Sequence, residues 1–543
     1  MIFPVSVRHH QRVRRGRLAV FTLLALHGCG DNLPGDSATD TASMDSGAAE
    51  TSTESGAAST HGTGGDTNSA QTSGGASDSE SSSSTTSATT NTTTADATTT
   101  DATTTGEDSQ TSTATTGPGP ICGDGTVQPA EQCDDGNDID DDGCKNDCTF
   151  GEGVICGSLD KIIPTDGATG DRFGSGLAAQ GDTIVVGASH HNEVRGAAYV
   201  CEKYEEGWVL TAKLTASDGH EYDSFGYSVA IDGDVIVVGA VGNNDNPGPD
   251  GSAYVFTKNN DEWTQQETQK LVASDGNPLD NFGISVAIQG DVIVVGAKNH
   301  QDMMTDSGSA YIFEKQGDQW HEILELYPSD PWQGNSFGTS VAIDEDVIVV
   351  GGPTANGLNA YSGGAYIYEK EGDTWPQLET AKVIADDGLT HDHFGWSVAV
   401  DGTTIAVGAQ SADGGMAENC GAAYVFEKQG EPWVQTAKLQ AATPGTSGNA
   451  GTTVVVRGDI IVAGATGSRN EEMMNIVTGA AYVFHKQGDM WPSTETSKLL
   501  APDSNEFDAL GRGLAITDAN VIVGAWQAEE DVPDSGAVYI CPL

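Results

Sequence analysis

Residues 282–297 read Phe282-Gly-Ile-Ser-Val-Ala-Ile-Gln-Gly-Asp-Val-Ile-Val-Val-Gly-Ala297. Two apolar, β-branched runs, Ser285 to Ile288 and Val292 to Val295, flank the turn Gln289-Gly290-Asp291, which is the pattern of a β-hairpin. After a polar loop, Ala310 to Glu314 reads as a third strand, Gln316-Gly317 as a second tight turn, and a fourth strand begins at Trp320. The whole pattern recurs at a period of about 55 residues. Phe-Gly or its remnant stands at Phe173, Phe225, Phe282, Phe337, Phe394, Ala450 and Leu510, and a Tyr marks each third strand from Tyr199 to Tyr539. Short strands in fours at a fixed period predict an all-β fold, a seven-bladed β-propeller of four-stranded antiparallel blades.

The last repeat stops just past its third strand, at Cys541-Pro542-Leu543. The missing strand is supplied by Lys161 to Gly167, which aligns with Lys213 to Gly219, the fourth strand and exit of the first repeat. Both chain ends are therefore expected to build the last blade. Bulky pairs such as Phe313 and Trp320 are expected to face each other across the third and fourth strands. Cys541 and Cys156 fall at those two positions in the last blade, so a Cys156–Cys541 disulfide is expected. The alternative leaves Cys156 to the preceding module and pairs Cys541 with Cys201 or Cys420.

Phe-Gly, Val-Gly-Ala and Gly-Ala-Tyr in this order resemble the FG-GAP repeat of integrin α-subunit propellers and, more closely, its bacterial surface-protein version, over residues 158–543. The resemblance implies a domain for adhesion or ligand binding. No repeat carries the D-x-D-x-D-G-x-x-D calcium loop of integrins, so those sites do not transfer.

Residues 1–28 carry a basic start and a short apolar stretch from Leu18 to Leu26, the marks of a signal peptide. The following Gly28-Cys29 resembles a lipobox, which implies lipidation of Cys29 and an outer-membrane or cell-surface lipoprotein, with plain secretion as the alternative. From 29 to 120 the chain is dominated by Ser, Thr, Ala, Gly and acids, too poor in apolar side chains to offset its ordering entropy, and reads as a disordered stalk. Residues 121–157 form a small cysteine-rich module in which Cys122, Cys133, Cys144 and Cys148 are disulfide candidates. It resembles the myxococcal cysteine-rich repeat of exported proteins. Asp138, Asp140 and Asp142 open like a calcium loop, but Thr149 stands where the bidentate Glu would be, and a solvated acidic turn is the preferred reading.

The formal net charge of -55 argues against nucleic acid or anionic lipid as partners. An extracellular protein or glycan is expected instead, with the membrane reached only through a lipid anchor. Each blade crossing repeats a pair of acids, among them Asp218 with Asp223, Asp275 with Asp280, and Asp387 with Asp392. These pairs are either calcium ligands or turn residues that satisfy backbone donors, and their regular repetition favours the second. His391 and His393 beside Asp392 are read as a polar turn rather than a metal site. No cofactor is required, calcium being the one candidate. Nucleophile-elbow, zincin, P-loop and dinucleotide motifs are absent, which points to a non-catalytic binding module. An envelope or matrix component, or an exported enzyme using a central pocket, are the alternatives.

Overall fold

The computed structural model describes residues 154–155 and 161–543, apart from 206, 245–249, 302–305, 415–417, 444, 446, 471–475 and 530–531. Cys29, the stalk, Cys122, Cys133, Cys144, Cys148, Cys156 and the loop of Asp138, Asp140 and Asp142 lie outside the described residues.

The architecture is all-β. Phe282–Gln289, Val292–Ala297, Ser309–Gln316 and Gln319–Leu326 pair in that order into an antiparallel unit. The same order gives Phe173–Gln180, Thr183–Ala188, Ala197–Tyr204 and Gly207–Leu214 for the first unit. Further units begin at Phe225, Ser340, Phe394 and Ala450, and the last of these is extended to five strands by Val154–Ile155, which runs parallel to Leu499–Leu500. The last unit joins Leu510–Ile516, Asn520–Ala525 and Ala537–Pro542 to Lys161–Ile162, with Lys161 opposite Tyr539 and Ile162 opposite Val538. The strand from the N-terminal side therefore completes the C-terminal sheet, as the alignment of Lys161 with Lys213 predicts.

Successive units are joined by the motif residues themselves. Phe225 forms a parallel bridge with Gly196 of the unit before it, Phe394 with Gly363, Leu510 with Gly479, and Phe173 with Gly536 of the last unit. The Phe rings are buried and meet the next Tyr edge-on, with centroids 5.4 Å apart for Phe173 and Tyr199 and 5.2 Å for Phe337 and Tyr366. Glycine is required where two units touch: a Cβ on Gly239 would stand 2.1 Å from the carbonyl oxygen of Gly283 in the next unit. Ser228, Ser285, Ser340 and Ser397 each donate to that same class of carbonyl, on Gly283, Gly338, Gly395 and Gly451. The first strands of the units line one shared pocket, with Ala178, Ala230, Ala287, Ala342 and Ala399 among its wall residues.

One register expectation is corrected. Trp320 stands opposite Lys315, not Phe313, because the turn is Gly317-Asp318 and a bulge between Ile312 and Phe313 shifts the rest of the pairing. Lys203 and Trp208, and Lys428 and Trp433, pair the same way. The ammonium of each Lys lies over its Trp ring, 5.8 Å from the centroid for Lys315, and a Glu of the preceding unit often closes the contact. Glu202 accepts from both Lys258 (2.7 Å) and the Trp263 indole (3.3 Å). The facing-pair argument for a Cys156–Cys541 bridge fails with that register. Cys541 is nevertheless buried and disulfide-bonded, to a cysteine outside the described residues, while Cys201 and Cys420 are free thiols.

Candidate functional site

The crossings between units carry most of the acids singled out in the sequence. In each crossing that keeps the pair, the first Asp accepts the hydroxyl of the buried Tyr: Tyr199 on Asp166 at 2.9 Å, Tyr254 on Asp218 at 2.8 Å, Tyr424 on Asp387 at 2.9 Å and Tyr539 on Asp503 at 2.8 Å. A Lys from the fourth strand then meets the other carboxylate oxygen, Lys270 on Asp218 at 2.6 Å and Lys438 on Asp387 at 2.7 Å. Burial alone would raise the pKa of Asp218 and Asp387, but these two hydrogen bonds outweigh it and lower both.

The second Asp caps its own turn. Asp223, Asp280 and Asp392 accept the backbone N–H groups of His220, Asn277 and Leu389, at 2.5, 2.7 and 2.7 Å. These residues are buried, and burial raises the pKa of Asp392 and pushes Asp508, at the same position, up to about 6. His391 stacks on Tyr361 and His393 bonds Ser411, so the two histidines flanking Asp392 serve different neighbours.

Two crossings depart from this pattern, and their histidines escaped the sequence reading. In the first unit, His191 bonds Asp171 through Nδ1 at 2.8 Å, and its Nε2 faces the Lys213 ammonium at 2.7 Å. In the third, His300 bonds Asp280 through Nδ1 at 2.7 Å, and Glu325 occupies the position of Lys213. His300 Nε2 then lies 3.8 Å from Asp275 Oδ2 and 3.6 Å from Glu325 Oε1. Burial disfavours the imidazolium here, yet the hydrogen bond to Asp280 and the three surrounding carboxylates raise its pKa. Among the described residues, Asp275, His300 and Glu325 form the one cluster of three metal-capable side chains whose ligand atoms lie within 4.8 Å of one another. The signal was present in the sequence: Glu325 breaks the row Lys213, Lys270, Lys382, Lys438 and Lys498.

A second feature was also missed. The residues following Phe-Gly, among them Tyr227, Thr339, Trp396, Thr452 and Arg512, converge on a central depression that Lys298, just past a second strand, also lines. Arg172 and Arg512 flank the ring of Trp526, 4.6 and 5.3 Å from its centroid, so cations gather at the centre of a chain whose net charge is -55. No sequence periodicity marks this wall, because each unit contributes a different side chain at the same step. Tyr222, Leu279 and Phe507 share one position in their crossings, more than half exposed and with φ of 71°, 74° and 73°. Apolar side chains held exposed in left-handed backbone are the kind of strained feature found at contact surfaces.

The FG-GAP repeat model matches residues 157–201, 208–256, 263–313, 320–368, 378–426 and 493–541, and the chain belongs to the FG-GAP repeat family. The unmatched interval contains Ala450-Gly451, where the Phe of the motif has been lost. Residues 114–149 match a domain of unknown function, DUF4215. No curated protein matches the chain. Among solved structures, a Bacteroides uniformis protein provisionally assigned as a 6-phosphogluconolactonase shares 11% identity at a TM-score of 0.41, covering 61% of this chain and 86% of its own. A Bacteroides fragilis protein with the same provisional assignment shares 10% identity at a TM-score of 0.43, covering 61% and 85%.

Proposed function

We propose that the units form a closed seven-bladed β-propeller serving as a non-catalytic binding or adhesion module. In this reading the protein is exported, anchored at Cys29 and held off the surface by the Ser/Thr-rich stalk, and its ligand is an anionic extracellular glycan. The observation that carries the ligand class is the central depression: Tyr227 and Trp396 offer ring faces for sugar stacking, Lys298 and Arg512 offer charge, and Thr339, Thr452 and Ser397, whose hydroxyl protons go to backbone carbonyls, offer acceptor oxygens for sugar hydroxyls. Cations placed at the centre of a strongly acidic chain suit a ligand that brings carboxylates or sulfates, while the acidic surround suppresses unspecific polyanion contact. Catalysis finds no support there, since the wall lacks a carboxylate pair or an activated nucleophile among the described residues.

Retention of the purified full chain on immobilised uronate and sulfated polysaccharides, in rising salt, tests this. Wild type is expected to be retained on at least one of them, and Trp396→Ala and Arg512→Ala each to weaken binding by about tenfold. Retention equal in wild type and both variants, or none on any charged polysaccharide, defeats the assignment.

A further inference from the structure

The first and third crossings are built from the same parts with one exchange. Asp166, Asp171, His191 and Tyr199 of the first correspond to Asp275, Asp280, His300 and Tyr311 of the third. In the first, the Lys213 ammonium is the shared cation, 2.5 Å from Asp166 and 2.7 Å from His191 Nε2. In the third, Glu325 takes the Lys position, and the place an ammonium occupies in the sibling is bordered by Asp275 Oδ2, Glu325 Oε1 and His300 Nε2.

The surroundings hold these three ligands in place. His300 is 2% exposed, and its Nδ1 is bonded to the buried Asp280, an arrangement that fixes the ring and turns Nε2 toward the carboxylates. Ser309, fully buried, donates to Glu325 Oε1 at 2.7 Å; the first unit has Ala197 there. Tyr311 donates to the remaining oxygen of Asp275 at 2.9 Å. Asp275 itself is about half-exposed, with 46% of its side chain open, so an ion could enter from solvent.

We propose that Asp275, His300 and Glu325 bind a divalent transition-metal cation, of the zinc or manganese class, which replaces the lysine of the other crossings. One imidazole nitrogen and two carboxylates suit such an ion better than calcium, which favours an all-oxygen shell of six or more ligands. The ion joins the crossing (Asp275), the loop after the second strand (His300) and the fourth strand (Glu325), the three segments that Lys213 joins in the first unit.

Calorimetric titration of the oxidised full chain with zinc at neutral pH, followed by manganese, tests the site. Wild type is expected to bind one more equivalent than Glu325→Lys, whose affinity at that equivalent falls by at least about 100-fold. Glu325→Lys installs the sibling arrangement, so its unfolding midpoint in chelator should match or exceed that of wild type. The reciprocal Lys213→Glu should gain an equivalent that wild type lacks, and it decides the matter if Glu325→Lys fails to fold. Identical stoichiometry and affinity in wild type and Glu325→Lys, or no gain in Lys213→Glu, overturns the proposal.

Discussion

The first and third units differ at one corner of an otherwise shared frame. Both set a Phe at a steep angle against a Tyr, both hang that Tyr on the first Asp of the crossing, and both tie a histidine to the second. Only the charge brought by the fourth strand is inverted, Lys213 against Glu325. The fold tolerates the inversion because backbone pairing and the Phe-Gly contacts set the geometry, leaving the partly exposed corner free to vary.

The largest expected effect tests whether the two frames are equivalent. A Cβ on Gly187 or on Gly296 would lie 2.0 Å from a carbonyl oxygen of the following unit, Gly226 or Gly338. Gly187→Ala and Gly296→Ala should each destabilise by more than about 3 kcal/mol in chemical unfolding or prevent folding, and to a similar degree. A tolerant third unit would mean that the two frames differ after all.

An intermediate effect concerns the second Asp when no histidine accompanies it. Asp508 is such a case, 1% exposed, its carboxyl pushed up to about 6 from 3.8. Between those two values the folded state holds more protons than the unfolded chain, so this group lowers stability as pH rises and its penalty is complete above the folded pKa. The fourth unit already uses Asn335 at this position. Asp508→Asn should therefore raise stability by up to about 3 kcal/mol at neutral pH, and the gain should vanish in acid below the unfolded value. A gain independent of pH would assign the effect to something other than the buried charge.

The smallest effect separates the two corners directly. Tyr199→Phe removes one donor from Asp166, which keeps Lys213, and should cost about 1 kcal/mol in thermal unfolding. Tyr311→Phe in chelator strips a donor from Asp275, which has no lysine beside it, and should cost about 2 kcal/mol. Equal losses would show that the ammonium does not share the load.

The repeating frame was legible in the sequence because it is periodic: Phe173 through Leu510 and Tyr199 through Tyr539 mark the strands, and Lys161 marks the exchanged one. Phe313 and Trp320 were misjudged as partners because the turn falls at Gly317-Asp318, one residue later than Gln316-Gly317, which moves every pair of the ladder. In the crossings that keep a Lys, Asp218 and Asp387 meet Tyr and Lys, while Asp223 and Asp392 cap backbone N–H groups of their own turns. The features most relevant to function were harder to see. Trp396 and Arg512 converge only once the units are arranged, and His300 gains meaning only against Glu325, 25 positions away by residue number.

The strand Lys161–Ile162 also decides how the fold carries mechanical load. A pull from the N-terminal side first meets Val154–Ile155, which runs parallel to Leu499–Leu500 of the unit before the last, and then Lys161–Ile162, the outermost strand of the last unit, paired to Ala537–Pro542. Force therefore passes the edge of the unit that begins at Ala450 before it meets the seam formed by Lys161–Ile162 and Ala537–Pro542. Lys161 braces that seam through Asp503 at 2.6 Å, and the covalent link at Cys541 stands beside it. Reduction of that link would leave the seam held by the short backbone pairing and the Lys161–Asp503 ion pair alone.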